Sequence, residues 1–135
     1  MEKIKVKIGW GGENYSCVIE NVNGIVVASH STLEGTKKEI KSALEFHVEG
    51  SVDDGDDIPE FIINGEYELE FELQTSAILK QLDGVVTRSA LSKATQINER
   101  QLGHYIQGKR EAREETRMKV LDGIKRIREE LLNVV

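Results

Sequence analysis

Short stretches of alternating apolar and polar residues dominate the first half of the chain. Over residues 3–8, three lysines alternate with Ile4, Val6 and Ile8, a period of two that places the apolar set on one face of a strand. Two further β-rich runs, residues 15–20 and 24–29, follow after turns rich in glycine and asparagine. The pattern predicts a small antiparallel sheet that begins as a three-stranded meander.

A helical period replaces this alternation after the meander. Ser31 and Glu34 have the spacing of a capping box, and apolar residues then recur on one helical face until Gly50, where we expect the helix to end. These apolar residues are Leu33, Ile40, Ala43, Leu44 and Val48. The amphipathic pattern predicts a single helix that covers one face of the sheet.

Residues 61–73 return to a strand pattern around an Asn-Gly pair. Asn64 and Gly65 separate the apolar residues 61–63 from residues 67–73, and this dipeptide is a strong signal for a two-residue hairpin. In residues 66–73, glutamates alternate with apolar residues, so one face is apolar and the other anionic. We therefore predict a β-hairpin whose glutamate row is exposed to solvent.

The second half of the chain has the pattern of short helices. Residues 76–82 form the first, Thr87 caps the second, and Asn98 caps a third that runs to Gln107 after a turn at residues 96–97. The second helix carries small apolar residues that allow close helix packing, namely Ala90, Leu91 and Ala94. The third helix has an apolar side, formed by Ile97, Leu102, Tyr105 and Ile106. Its outward residues are Glu99, Arg100, Gln101, His104 and Gln107.

This arrangement of two helices and a tight turn predicts a helix-turn-helix. We expect Arg100 and Gln101 to contact base edges, and Lys109 and Arg110, after the corner at Gly108, to contact phosphates. The complete set of candidate DNA-binding residues is Thr87, Asn98, Arg100, Gln101, His104, Lys109 and Arg110.

The last segment, residues 114–135, carries an apolar stripe with a 4-3-4-3 spacing. Its members are Val120, Ile124, Ile127, Leu131 and Val134, with Met118 and Leu121 beside them. Such a stripe either completes the helical core or pairs two chains. We favour a homodimer or higher homo-oligomer, because two-fold symmetry is what helix-turn-helix proteins use on paired half-sites.

Charge divides the chain at the same place as the change of pattern. Residues 1–74 hold 6 Lys and no Arg against 16 Asp and Glu, a net charge of −10, whereas residues 75–135 hold 5 Lys and 7 Arg against 8 acidic residues, a net charge of +4. Because guanidinium groups bind phosphate and guanine in a bidentate manner, the segregation favours a nucleic-acid-binding domain in residues 75–135. Composition alone leaves open the other interpretation, that these arginines serve solubility and helix formation.

Composition also excludes several classes of protein. Cys17 is the single cysteine, so one chain contains neither a disulfide nor a thiolate metal cluster. The sequence has no run of about 18 to 20 apolar residues and no secretory signal at its start, so we expect a cytoplasmic protein without a membrane partner.

Neither a metal site nor a catalytic centre is predicted. The glutamates of residues 66–72 share one strand at about 6 to 7 Å per step, which is too far apart to chelate one ion. The Asp-rich loop at residues 53–57 has Asn64 where an EF-hand would need glutamate. His30 and His47 lack an acid–nucleophile arrangement, and Cys17 reads as a small buried hydrophobe. We expect a binding protein without a cofactor rather than an enzyme.

The residues together resemble the HicB family of antitoxins over nearly the whole chain. In the first half, the resemblance depends on residues 6–8, 15–17, 31–33 and 43–47 with Gly24; in the second half, it depends on residues 90–95 and 97–105 with Gly108. The second stretch is the more specific, and it is similar to the helix-turn-helix tail of one branch of the family. That branch usually has a proline shortly after the glycine corner, where this chain has residues 111–113, so Arg113 is left out of the expected contacts.

The resemblance implies an α+β protein of two domains. Residues 1–74 would form a partial RNase H-like module that binds and neutralises a small, basic, mRNA-cleaving HicA-type toxin. Residues 75–135 would form an all-α helix-turn-helix domain that binds double-stranded operator DNA and represses the operon. A negatively charged module is electrostatically complementary to a toxin that grips RNA.

Two functions of other classes remain open at this point. A stand-alone transcription regulator whose first domain senses a small ligand would share every helix-turn-helix feature. A metal-dependent RNase H-like nuclease would instead use the glutamates at 68, 70 and 72 with magnesium or manganese, and we do not expect this activity.

Overall fold

The chain forms one four-stranded sheet and six helices, which confirms the predicted α+β class. The computed structural model describes all of residues 1–135. The strands are β1 (Glu2–Trp10), β2 (Tyr15–Ile19), β3 (Val26–His30) and β4 (Tyr67–Leu73). The helices are α1 (Leu33–Asp53), α2 (Glu60–Ile63), α3 (Thr75–Leu82), α4 (Arg88–Thr95), α5 (Glu99–Ile106) and α6 (Glu114–Val134).

The chain divides into two compact units. The sheet unit consists of Met1–Gly9 and Glu13–Leu73, and the helical unit consists of Trp10–Gly12 and Gln74–Val135. Trp10, at the end of β1, joins the helical unit because its backbone N–H donates to Ser76 Oγ at 2.9 Å and its ring lies 4.6 Å from Lys80 Nζ. No helix in either unit combines the length and the hydrophobicity needed to cross a lipid bilayer.

The sheet is mixed, so the prediction of an antiparallel sheet is wrong for its last strand. The strand order is β3-β2-β1-β4; β2 and β3 are antiparallel, whereas β4 lies parallel to β1 with Glu2 opposite Tyr67 and Ile8 opposite Leu73. Parallel pairing needs a long crossover, which the segment containing α1 and α2 supplies. The local pattern of residues 67–73 carries no information about which strand they join.

The predicted hairpin at Asn64-Gly65 is also wrong, because the residues before this pair form α2. Asn64 is the C-cap of α2 and Gly65 follows it with φ of +70°. The N–H of Gly65 donates to Ile62 O at 3.2 Å and the N–H of Glu66 donates to Phe61 O at 2.8 Å, which is the Schellman arrangement. An Asn-Gly pair therefore serves a helix end here rather than a hairpin turn.

Both ends of α1 differ from the prediction by a few residues. Thr32, not Ser31, is the N-cap, and its Oγ1 accepts from the N–H of Gly35 at 3.0 Å. The helix passes through Gly50 and ends at Asp53, because buried Val48 and Ser51 extend the inward face by one more turn. Gly55, with φ of +74°, is the glycine that ends it.

One face of the sheet packs under α1 and forms the core of the sheet unit. The strands contribute the apolar residues of the predicted alternation, and α1 contributes one stripe at helical spacing. The buried residues are Val6, Ile8, Tyr15, Cys17, Ile19 and Val26 from the strands, and Ile40, Leu44 and Val48 from α1. The alternation in residues 3–8 is confirmed, because Val6 and Ile8 are fully buried.

The helical unit has its own core between α3, α4, α5 and α6. Its buried apolar residues are Ala77, Ile78, Leu79, Leu91, Ile97, Leu102, Tyr105 and Val120. Gly123 of α6 lies against α4, where an added Cβ would come within 2.5 Å of Thr95 Cγ2 and 3.2 Å of Ala94 C. The close approach of α4 to another helix thus depends on Gly123 and Ala94, whereas Ala90, expected on the packed side, is exposed.

Candidate functional site

The polar surface of α5 is set by its two ends. Asn98 is the N-cap, and its Oδ1 accepts from the N–H of Gln101 at 2.8 Å. At the other end Gly108 takes φ of +74°, and the N–H of Lys109 donates to His104 O at 3.0 Å. The two caps define a helix of 8 residues. Leu102 and Tyr105 lie on its buried side, and Arg100 lies on its exposed side.

A short turn connects α4 to α5. Thr87 caps α4 and accepts from the N–H of Ala90 at 3.0 Å. Residues 96–98 then form the turn, in which Gln96 adopts a left-handed conformation with φ of +63° and Ile97 is buried. Thr95 stabilises this turn, because its Oγ1 accepts a hydrogen bond from the N–H of Ile97 at 3.2 Å. The predicted caps at Thr87 and Asn98 are confirmed.

The seven candidate DNA-binding residues do not all present free side chains. The side-chain oxygens of Thr87 and Asn98 are used as caps. Gln101 is half-buried, and its Nε2 donates to Tyr105 Oη at 2.9 Å. His104 is half-buried as well, which leaves three candidates with exposed charged side chains, namely Arg100, Lys109 and Arg110.

These three exposed cations form two groups rather than one. Arg100 lies in the first turn of α5, whereas Lys109 and Arg110 follow its last turn. Eight residues of helix rise about 12 Å, so the groups are separated by roughly the length of α5.

Arg88 is a cation of this surface that the sequence analysis missed. It is the first residue of α4, and a Cβ built on Gly103 would lie 3.1 Å from its Nη1. The guanidinium group therefore rests on α5 at the position where that helix has no side chain. The residue in the sequence that bears on this contact is Gly103, because a glycine leaves the space that the guanidinium group occupies.

The seven arginines fall into two classes by their contacts. Arg117, whose side chain is 17% exposed, pairs with Glu114 at 3.3 Å. Arg126 Nη1 donates to Ala94 O at 2.8 Å, and Arg128 pairs with Glu129 at 3.4 Å. The other four form neither an ion pair nor a side-chain hydrogen bond. They lie at the start of α4, at the start of α5 and between α5 and α6, and they are Arg88, Arg100, Arg110 and Arg113.

The glutamate row of β4 is partly neutralised by its neighbouring strand. In the parallel register, Lys3, Lys5 and Lys7 of β1 stand opposite Glu68, Glu70 and Glu72. Lys3 Nζ lies 3.7 Å from Glu70 Oε2. The expectation of an anionic face on this strand is therefore wrong at the level of the sheet, because three lysines share that face.

The excess negative charge of the sheet unit lies elsewhere. Residues 42–66 contain eight acidic residues and no lysine or arginine. They cover the second half of α1, the loop after it and α2. The acidic residues are Glu45, Glu49, Asp53, Asp54, Asp56, Asp57, Glu60 and Glu66. This segment, which we call the acidic segment, is where a cationic partner would be attracted.

The groups considered for catalysis have structural partners or are buried. Burial raises the pKa of the Cys17 thiol to about 11, which keeps it protonated at neutral pH. His47 Nε2 lies 2.8 Å from Val22 O, and His30 Nδ1 accepts from the N–H of Thr32 at 3.0 Å. No three His, Cys, Asp or Glu side chains come together as metal ligands.

The separation of charge between the two units is thus the main chemical feature of the chain. The sheet unit has a net charge of −10 and the helical unit +4, since residues 10–12 and 74 are uncharged. No protein-family model, no curated protein and no solved structure matches this chain, so its own residues and contacts are what bear on its function.

Proposed function

We propose that this chain is an antitoxin of the HicB type, which neutralises a small cationic HicA-type toxin and represses its own operon. The observation that carries the proposal is the separation of charge between two compact units, −10 on the sheet unit and +4 on the helical unit. Opposite net charges on two units suit two macromolecular partners of opposite charge. The activity is binding rather than catalysis.

The helical unit supports the DNA-binding part of the proposal. Helices α4 and α5 are joined by the turn at residues 96–98 and each is capped at its start. A helix-turn-helix needs such a connection, and α5 would be its recognition helix. Arg100 would read a base edge in the major groove, whereas Lys109 and Arg110 would contact phosphates. Gln101 would have to release Tyr105 before it reached a base.

The DNA-binding proposal is tested on a fragment from upstream of this chain's own gene. Arg100→Ala is expected to lower the discrimination between that operator and random DNA by about 1 to 3 kcal/mol, because a bidentate contact to a base is lost. Lys109→Ala is expected to weaken binding to both DNAs equally and to reduce the salt dependence by about one counterion. Fluorescence anisotropy at several salt concentrations measures both effects.

Arg128→Ala is the matched control for these variants. It removes the same charge from the helical unit at a site paired with Glu129 and outside α4 and α5. Its operator affinity should stay within about twofold of the parent chain. Operator preference that survives Arg100→Ala unchanged would show that α5 is not the reading element.

The sheet unit supports the toxin-binding part of the proposal. An mRNA-cleaving protein must carry a cationic surface to bind its substrate, and the acidic segment offers the complementary charge. The test is to co-express the full chain with the product of the adjacent reading frame. We expect a complex that survives size-exclusion chromatography and blocks RNA cleavage. An adjacent frame that encodes no small basic protein would contradict this part of the proposal.

The exposed end of α6 supports self-association. Leu131 and Leu132 are 62% and 61% exposed, and Val134 follows them on the same helix. Leu131 and Val134 end the apolar stripe, whose first member, Val120, is buried within the helical unit. Pairing of two chains through this end of α6 would give the two-fold symmetry of an operator with paired half-sites.

A further inference from the structure

The free edge of the sheet at β3 carries an exposed apolar surface. β3 has a strand neighbour, β2, on one side only. Ile25 and Val27 at this edge are 64% and 66% exposed, and Phe46 of α1 beside them is 79% exposed. Together they flank a groove between the strand edge and α1, which we call the β3 groove. A sheet edge with exposed apolar side chains is a template for pairing with another chain.

Two acidic residues lie at the β3 groove. Asp54 and Asp56 line the end of the groove. These residues belong to the acidic segment, which has no lysine or arginine to offset them. The groove therefore combines apolar anchors with uncompensated negative charge.

The opposite edge of the sheet has a different character. The outward side chains of β4 are glutamates, and lysines of β1 stand beside them in register. Its apolar residues, such as Phe71, are half-buried, and Lys37 Nζ lies 5.3 Å from the Phe71 ring. This edge offers neither exposed apolar anchors nor an uncompensated acidic rim, so the two edges of the sheet are not equivalent.

We propose that the β3 groove binds an extended, cationic segment of the toxin, which adds to the sheet as a fifth strand next to β3. The identity of the partner rests on the function proposed above, whereas the choice of surface rests on the groove itself. Main-chain hydrogen bonds to the free edge supply affinity, and side chains of the added strand supply specificity.

The alternation of a strand explains why both sides of the β3 edge are apolar. Val26 points to the α1 side of the sheet and is buried, whereas Val27 points to the other side, opposite Val18. An added strand would place one set of its side chains against Phe46 and the other set against Val27. Basic residues at its end would meet Asp54 and Asp56.

Two lysine substitutions test the surface with the same change in charge. Val27→Lys places a cation at the β3 edge, and Val85→Lys places one after α3, where the side chain is also exposed and lies outside both the groove and the acidic segment. With the purified product of the adjacent reading frame as the probe, Val27→Lys is expected to weaken binding by about 100-fold and Val85→Lys by less than about threefold. Phe46→Ala is expected to weaken it by about tenfold.

Hydrogen exchange of the full chain gives a readout that does not depend on substitution. Binding of the same partner should slow exchange of amides in residues 25–30 and leave residues 67–73 unchanged. Protection at residues 67–73 instead, or equal losses of affinity for Val27→Lys and Val85→Lys, would overturn the assignment of the surface and leave the antitoxin proposal standing. No binding by the parent chain would overturn the antitoxin proposal itself. Without the partner, slower exchange in residues 25–30 as the concentration of the chain is raised would show that a second copy occupies the groove. That result would also overturn the inference.

Discussion

Cys17 shows how burial alone sets the chemistry of one residue. Its side chain is 7% exposed in the core of the sheet unit, and burial raises the pKa of its thiol from 9.0 to about 11. At pH 8 the thiolate fraction should therefore be about 100-fold lower in the folded chain than in the unfolded chain. We predict that iodoacetamide labels native Cys17 at least that much more slowly than the urea-unfolded chain, as measured by mass spectrometry. Equal rates would show that the thiol is accessible.

The same pKa shift predicts a loss of stability at alkaline pH. Between pH 9 and 11 the unfolded chain has released the thiol proton and the folded chain still holds it, so rising pH favours unfolding. Below pH 9 the contribution of Cys17 to the free energy of unfolding is constant. Between pH 9 and 11 this contribution falls by up to about 2 to 3 kcal/mol. Cys17→Ala should lose that much less free energy of unfolding over this range. Burial and Glu45 raise the pKa of Tyr67 as well, and comparison of the two chains cancels that contribution.

Two helical glycines illustrate what an element requires of its neighbours. Gly123→Ala is expected to destabilise the chain by about 1 to 3 kcal/mol, because the new Cβ would collide with Thr95 and the backbone of α4. Gly50→Ala is the matched control, since its Cβ would meet no atom within 4 Å and the helix gains propensity. We predict a gain of about 0.5 to 1 kcal/mol for Gly50→Ala in urea unfolding. A Gly123→Ala chain as stable as the parent would show that α4 and α6 do not pack closely at this position.

At the scale of the whole molecule, the exposed end of α6 predicts an oligomer. Leu131→Asp is expected to raise the dimer dissociation constant by about 10- to 100-fold, because a charge replaces an apolar contact. Asn133→Asp adds the same charge on a different side of the helix and should change it by less than about threefold. Sedimentation velocity over a range of concentrations measures both. A parent chain that sediments as a monomer throughout would contradict the prediction.

The sequence predicts structure correctly where both partners of an interaction lie within a few residues of each other. The caps Thr87 and Asn98 each bond to a backbone N–H three residues later, and the alternation of residues 3–8 sets which side chains are buried. The surface of α5 was harder to predict, because Gln101 and Tyr105 bond to each other and Arg88 reaches it from α4. Helix spacing shows which residues share a face but not which side chains are already engaged.

Ambiguous local signals were decided by longer-range packing. Asn64-Gly65 ends a helix and does not form a hairpin turn, and α1 ends at Asp53 rather than at Gly50. Asn-Gly is compatible with a hairpin turn or a helix end, and Gly50 is compatible with a helix end or a helix interior. In both cases the outcome depends on whether neighbouring side chains are buried in a helical conformation. Ile62 and Val48 are buried in the sheet unit, which keeps their segments helical.

The sequence by itself determined the charge of the two halves, the strand alternation at residues 3–8 and the caps of α4 and α5, because each depends on composition or on residues a few positions apart. Only the tertiary structure decided that β4 lies parallel to β1, which sets three lysines beside its glutamates and leaves the β3 edge free. That pairing joins residues more than 60 positions apart, and its free energy comes from burying one face of the whole sheet under α1, which no local pattern encodes.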